Sequence, residues 1–186
     1  MFIQTESTPN PNALKFFPGC EVSSKPIHFS DIDESNGVKL VQNLFSLEGV
    51  EAVFYGADFI TITKAENENW ESLKTLVIAK MIDHLGSGLT PLEGFMANAN
   101  SEIDTSMYSD LEKEIVEIIE TRVRPAVAMD GGDITYKGFE QGIVLLELKG
   151  SCSGCPSSMI TLKNGIESML QHYVPEVQGV EAFEGE

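Results

Sequence analysis

The residues that could do chemistry lie in GSCSGCPSS, Gly150–Ser158, where two residues separate Cys152 from Cys155 and Pro156 follows directly. Thiolates at this CxxC spacing bind zinc or iron–sulfur clusters, and they also form the dithiols of redox proteins. The chain has three cysteines, and an odd number does not make a disulfide framework. We therefore expect a reducing compartment and a metal-binding or redox function for this pair.

The residues around the pair predict that both thiols lie at the start of a helix. Pro156 suits the first helical position, and it biases Cys155 toward the N-cap conformation. A helix N-terminus stabilises an anion by ~0.3–1 kcal/mol, or up to ~2 kcal/mol when it is partly buried, whereas one pKa unit corresponds to ~1.36 kcal/mol. We therefore expect the thiol pKa values to fall from ~8.5 to no lower than ~7, so that a bound metal is needed to ionise the thiols fully.

The pair supplies only half of a usual ligand set. Zinc and iron–sulfur sites take about four sulfur or nitrogen ligands, and the second half of the chain offers two thiols and one histidine, His172. His172 would lie at the far end of the helix that begins at Pro156, ~24 Å away at 1.5 Å per residue. A two-fold axis that brings the same loop from a second chain would complete four thiolates, so we predict a homodimer that shares one cofactor.

Three other interpretations of the pair stay open at this point: a thioredoxin-like dithiol–disulfide oxidoreductase, a zinc-bridged structural dimer, and inert structural cysteines. The redox interpretation is the weaker fit. A thioredoxin-like motif has a proline between its cysteines and a tryptophan just before them, whereas Pro156 lies outside the pair and the single tryptophan is Trp70.

Two small units position the pair, which predicts a mixed α+β fold. The first, residues 1–88, has the order ββαββα, with a stiff Pro-Asn turn between its first strands, a helix capped by Ser35, a hairpin around Gly56–Asp58 and a helix from about Asn69 to Leu85. The second, residues 107–186, has the order αββαβ, with the cysteines between a strand and a helix. The apolar face of that helix should carry Met159, Leu162, Ile166, Met169 and Tyr173.

Residues 89–106 read as a linker, because they contain Pro, Gly, Asn and Ser without a sustained apolar period. The alternative is an ordered loop that packs on one unit through Phe95 and Met96.

The net charge of −17 is spread over both units and argues against nucleic acid or an anionic membrane as a partner. The chain has no apolar run of the ~20 residues that cross a bilayer. The N-terminus lacks the features of a secretory signal or a transit peptide. An intact Met1 favours a bacterial cytoplasm, with the mitochondrial matrix as the location of a processed eukaryotic form.

Other reactive side chains attract plainer interpretations. Asp130–Asp133 (DGGD) could tune a nearby cluster, but a helix-to-strand turn that uses its glycines explains it better. Cys20 has no partner nearby in the sequence, and His28 and His84 lack ligand spacing. Met159 and Ile160 are expected to be core or dimer-facing residues that could also shield a cluster.

Two long motifs resemble the NifU/Nfu family of iron–sulfur cluster carriers. The second unit is similar to its C-terminal domain through VRPAVAMDGGDI, Val123–Ile134, and LKGSCSGCPSSMITLKNGIESML, Leu148–Leu170. The first unit resembles the N-terminal domain of many Nfu proteins through IQTESTPNPNALKF, Ile3–Phe16.

The resemblance implies that Cys152 and Cys155 hold one [4Fe-4S] cluster between two chains. It further implies a non-enzymatic carrier that receives the cluster from upstream assembly proteins and transfers it to apo-proteins. The larger family members have an extra scaffold domain and a ferredoxin-like domain, which are missing here, so a carrier is expected rather than a primary assembly site.

Overall fold

The computed structural model describes residues 2–35, 37–95, 108–152 and 156–183, with the backbone alone for residues 156–159 and 161. The chain divides into two compact units, Met1–Asn98 and Ala99–Glu186, and each has its own apolar core. Both units combine helices with a sheet, so the predicted mixed α+β fold is confirmed. No helix among the described residues is long and apolar enough to cross a membrane. The predicted bounds of the two domains and of the linker stay a prediction.

The first unit is built on a five-stranded antiparallel sheet in the order β1-β2-β5-β4-β3. Its strands are β1 (Gln4–Ser7), β2 (Ala13–Phe17), β3 (Ile27–Phe29), β4 (Val50–Tyr55) and β5 (Ile60–Lys64). The predicted hairpin is confirmed as β4 and β5. Strand β3 was not predicted, because three residues directly after a proline are too short for an alternating pattern to show.

Two helices cover one face of this sheet, α1 (Lys39–Phe45) and α2 (Trp70–Gly86). The Asn69 side chain accepts a hydrogen bond from the Glu71 N–H and caps α2 close to the predicted start. The predicted cap of α1 is wrong. Ser35 lies in a short 3₁₀ turn, and Val38 occupies the N-cap position without a side-chain hydrogen bond.

Residues 89–95 pack on the first unit, which favours the ordered-loop alternative for this part of the predicted linker. The Tyr55 hydroxyl donates to the Pro91 carbonyl at 3.2 Å, and the Lys39 N–H donates to the Glu93 carbonyl at 3.1 Å. Phe95 is partly buried against the core, as that alternative expects. Met96, its other anchor, lies outside the described residues.

The second unit opens with a long helical segment that contains one irregular turn. It consists of α3 (Asp110–Ile118), a π-helical stretch at Ile119–Val123, and α4 (Arg124–Met129). Ser109 caps α3 in a reciprocal capping box with Glu112. Pro125 was expected to end or kink the helix. It is tolerated within the first two residues of α4, where the π-helical turn changes the hydrogen-bonding pattern.

The remaining elements are β6 (Gly132–Glu140), β7 (Ile143–Gly150), α5 (Pro156–Tyr173) and β8 (Gly179–Ala182). Strands β6 and β7 form an antiparallel hairpin, and β8 pairs parallel to β7 on its other side. Gln141 (φ 51°) and Gly142 (φ 86°) form the hairpin turn. The element order αββαβ is therefore as predicted.

The apolar face of α5 is shifted relative to the prediction. Ile166 and Leu170 are buried in the core, and Leu162 and Met169 pack against it. Tyr173 is 41% exposed, because it lies in the last turn of α5. Its ring contacts the Arg122 guanidinium at 4.6 Å rather than the core. The Met159 side chain lies outside the described residues.

Candidate functional site

The first cysteine of the pair lies in the core of the second unit. Cys152 follows β7, ahead of α5, and is 7% exposed. Its side chain belongs to the same apolar cluster as Ile134 and Leu170. Cys155, together with Ser153 and Gly154, lies outside the described residues, so its predicted place at the helix N-cap stays a prediction.

The turn between α4 and β6 packs against Cys152. A Cβ atom built on Gly132 would overlap the Cys152 sulfur and lie 2.9 Å from the Lys149 carbonyl oxygen, so a glycine is required there. Gly131 has a φ of 83°, in the left-handed region that favours glycine. These contacts support the plain interpretation of the DGGD segment as a helix-to-strand turn, and they also place that turn directly against the first cysteine.

Ser151 ties the cysteine loop to the same turn through two hydrogen bonds. Its hydroxyl donates to the Asp130 carbonyl at 2.6 Å, and its N–H donates to the Gly131 carbonyl at 3.2 Å. The hydroxyl also lies 4.0 Å from the Cys152 sulfur. Ser151 is itself 3% exposed, so these bonds are shielded from water.

The surroundings of Cys152 disfavour its thiolate in the metal-free chain. Burial raises the pKa of the Cys152 thiol to about 11, with smaller contributions from the carboxylates of Asp130 and Asp133 and a smaller opposing one from the hydrogen bond with Ser151. The expected fall of this pKa is therefore wrong for Cys152. The thiol is packed among apolar side chains before the helix begins, and the loss of hydration outweighs the helix end.

An ion-pair cluster contacts the same turn through Asp133. Arg124 donates from Nε and a terminal nitrogen to the two carboxylate oxygens of Asp133, at 2.7 and 3.1 Å, and it also donates to Glu120 at 2.8 Å. Asp133 is 5% exposed. The hydrogen bond to Asp133 is the largest cause of a raised pKa for Arg124. Sequence reasoning missed Arg124, although its spacing of four residues from Glu120 is a recognisable helix ion pair.

The other predicted candidates lie in the first unit or in the last turn of α5. Cys20 is an exposed free cysteine of the first unit. His84 is buried in that unit, where its Nε2 donates to the Thr90 carbonyl at 2.9 Å. His172 lies in the last turn of the 18-residue helix α5, at the end away from the cysteines, as expected. Among the described residues no three His, Cys, Asp or Glu side chains form a metal-binding group.

An apolar groove lies beside the start of α5. Ile160, 63% exposed, lines a cavity of about 310 Å³ together with residues of β7, β8 and α5: Leu146, Leu148, Lys163, Ile166, Val180, Glu181 and Ala182. The exposure of Ile160 argues against the core position that was one of its two predicted roles.

The arrangement defines a small α+β protein with a buried thiol between a strand and a helix. Comparisons with known proteins identify a family with this combination of domains. Residues 3–88 match the family model described as the scaffold protein Nfu/NifU N-terminal domain, and residues 115–181 match that of the NifU-like domain.

Two curated relatives extend this match over almost the whole chain. A human protein named "NFU1 iron-sulfur cluster scaffold homolog, mitochondrial" is 50% identical over 186 residues, which cover 97% of this chain and 71% of the human protein. A Drosophila ananassae protein of the same name is 49% identical over 185 residues, which cover 97% of this chain but 64% of the relative. The chain belongs to the NifU/Nfu family of iron–sulfur cluster scaffold proteins, and it spans about two thirds of the length of the Drosophila relative.

Two solved structures are similar to part of the chain. The solution structure of a NifU-like protein from Saccharomyces cerevisiae has 38% identity and a TM-score of 0.43, and it covers 47% of this chain and 81% of the yeast chain. A crystal structure of a Staphylococcus aureus protein has 27% identity and a TM-score of 0.39, and it covers 43% of this chain and 98% of that one.

Proposed function

We propose that this protein carries a [4Fe-4S] cluster through Cys152 and Cys155 and transfers it to apo-proteins. The observation that carries the proposal is the position of Cys152. It is a buried thiol on a loop directly before α5, with its CxxC partner three residues on, in a chain of a cluster scaffold family. Iron–sulfur clusters are held by cysteine thiolates, and coordination supplies the ionisation that burial of Cys152 opposes.

A second copy of the chain supplies the other two thiolates in this proposal. The described part of one chain has no complete ligand group, and His172 lies at the opposite end of α5. The exposed Ile160 lies one turn beyond the pair, where a partner chain could cover it. One cluster would then lie between two chains, within reach of a recipient that can supply replacement ligands.

The carrier interpretation fits the chemistry of Cys152 better than the oxidoreductase alternative does. A thiol that attacks disulfides works best with a pKa near the ambient pH, whereas the pKa of Cys152 is raised to about 11. We therefore assign no catalysed reaction to this protein.

The partners and location follow from the same role. Upstream cluster-assembly proteins act as donors, apo iron–sulfur proteins act as recipients, and neither nucleic acid nor a membrane is involved. The relatives described above are named mitochondrial, which favours the mitochondrial matrix over a bacterial cytoplasm. Either compartment keeps thiols reduced.

Anaerobic reconstitution of the full chain with iron and sulfide tests the proposal. We expect about four iron and four sulfide per two chains, a visible absorption band, and a dimer by mass measurement. Cys152→Ala and Cys155→Ala should each abolish this loading, and the matched control Cys20→Ala should retain it.

Retention of a full cluster by Cys152→Ala would contradict the ligand assignment. Zinc in place of iron in protein purified without oxygen would support the structural-dimer alternative. Insulin-type disulfide reduction by the metal-free monomer, together with a Cys152–Cys155 bond in the oxidised protein, would support the oxidoreductase.

A further inference from the structure

We propose that Arg124 is a positioning residue for the cluster site, because it clamps the Asp130–Asp133 turn on which the Cys152 loop rests. The inference rests on the proposed role of Cys152 as a ligand. Arg124 would touch neither the cluster nor the thiol. It would act through Asp133 and the glycines next to it.

The first step is the hold of Arg124 on the strand end. Its guanidinium engages both carboxylate oxygens of Asp133, at 2.7 and 3.1 Å, and the Asp133 side chain is 8% exposed. A fork of this kind restricts both the distance and the plane of the carboxylate, which a single-point ammonium contact does not. The contact therefore fixes the position of the start of β6, in addition to neutralising the charge of Asp133.

The second step runs from Asp133 to the thiol. Gly132 is the next residue in the chain, and it lies opposite Gly150 in the β6–β7 pairing. The space above its Cα is filled by the Cys152 sulfur and the Lys149 carbonyl. A displacement of β6 at Asp133 would therefore press on Cys152 or open a gap beneath it.

The third step is the hydrogen bonding of Ser151, which joins the residue before Cys152 to the same turn. The Ser151 N–H and hydroxyl donate to the carbonyls of Gly131 and Asp130, within the same turn. The turn itself has little rigidity of its own, since it contains two adjacent glycines and one of them has a positive φ. A side chain outside the turn can add rigidity to it, and Arg124 contacts the turn through Asp133.

The π-helical stretch Ile119–Val123 places Arg124 for this contact. It ends at the residue before Arg124, and the guanidinium also meets Glu120 in the preceding turn at 2.8 Å. Glu120 thus holds the guanidinium from the helix, while two other nitrogens of the same group bind Asp133 of the turn. Irregular turns of this type are frequent at functional sites.

The test compares Arg124→Ala and Arg124→Lys with wild type in the full chain. Cluster loss from the reconstituted protein to an iron chelator is measured well below the unfolding transition. Hydrogen exchange at the Ser151 amide is measured in the metal-free protein. For Arg124→Ala we expect cluster loss and Ser151 exchange to be at least tenfold faster, with Arg124→Lys intermediate because it keeps the charge and loses the fork.

Two control variants separate positioning from charge and from general stability. Arg122→Ala removes the same charge two residues earlier, from a side chain that stacks on the Tyr173 ring. Ser109→Ala removes the cap of α3 and so lowers stability at a distance from the turn. Both should lose the cluster within about twofold of the wild-type rate.

Wild-type cluster loss and wild-type Ser151 exchange in Arg124→Ala would overturn the inference, as would equally fast loss in either control. If Arg124→Ala does not fold, Arg124→Lys and Asp133→Asn decide the question by the same two measurements. If the wild-type chain takes up no cluster at all, the proposed function fails, while the exchange at Ser151 still tests the action of Arg124.

Discussion

The thiol of Cys152 shows how two local effects of opposite sign compete at one residue. The approach to a helix N-terminus favours the thiolate, whereas burial in the apolar core favours the thiol, and burial is the larger effect here. We therefore expect this sulfur to react slowly at neutral pH in the metal-free protein. Coordination requires the thiolate, so metal binding at this site should release the thiol proton to solution.

Alkylation of the metal-free chain tests this protection. At pH 8 a thiol with a pKa of about 11 is only about one-thousandth ionised, and Cys152 is also shielded from the reagent. We expect iodoacetamide to modify exposed Cys20 at least tenfold faster than Cys152, with the rate at Cys152 rising up to about pH 11. Peptide mass spectrometry gives both rates in one sample.

Denatured protein is the control, since unfolding should make the two rates equal. Equal rates in the folded protein would contradict the burial of Cys152.

For the candidate site, the sequence predicted two ligands, and one neighbouring feature is confirmed. The CxxC spacing predicts Cys152 and Cys155 as ligands, which stays a prediction, whereas the helix start at Pro156 is confirmed. The burial of Cys152 was not predictable, because it depends on the apolar core and on the close approach of Gly132 in another strand. The pairing of Arg124 with Asp133 depends on a π-helical turn, for which sequence periodicity gives no signal.

At the scale of elements, the site depends on the close approach of β6 and the end of β7. Gly132 and Gly150 are paired in that ladder, and the space at Gly132 is already filled. Helix α5 contains a glycine with free space around it. Gly165 is an exposed helical glycine with no atom within 4 Å of its would-be Cβ.

Alanine substitutions at these two glycines should therefore have opposite effects on the free energy of unfolding. Gly132→Ala must displace Cys152 or the Lys149 carbonyl, and overpacking of this kind costs ~1–3 kcal/mol. Gly165→Ala should stabilise the chain by ~0.5–1 kcal/mol, because it reduces the conformational entropy of the unfolded chain. Urea unfolding measures both. A Gly132→Ala variant as stable as wild type would show that the turn is looser than described.

Most elements were predictable because they have a strong period or a clear stop signal. The β4–β5 hairpin and α2 are confirmed close to their expected bounds. The failures have local causes. Ser35 forms a 3₁₀ turn that competes with capping, and Tyr173 lies where α5 runs past the core, so that Leu170 takes the buried position.

At the scale of the whole molecule, each unit has a separate apolar core, and the candidate site belongs to the second. The fully buried leucines Leu44 and Leu170 represent the two cores. Damage to the first core should therefore leave cluster binding unchanged as long as the second stays folded.

Leu44→Ala and Leu170→Ala test this independence with the same chemical change. Each should destabilise its own unit by ~2–5 kcal/mol through lost burial and a cavity. Leu44→Ala should retain the wild-type iron content after reconstitution, and Leu170→Ala should lose iron faster. Equal loss from both variants, measured by iron analysis beside hydrogen exchange of each unit, would contradict the separation.

The parallel pairing of β8 with β7 has a consequence for biosynthesis. The strand that leads into the cysteine loop acquires its second neighbour only from residues that are translated some thirty positions later, beyond α5. A nascent chain on the ribosome therefore exposes both cysteines before it can complete the sheet behind them. Metal capture that requires the finished domain therefore has to follow the synthesis of β8.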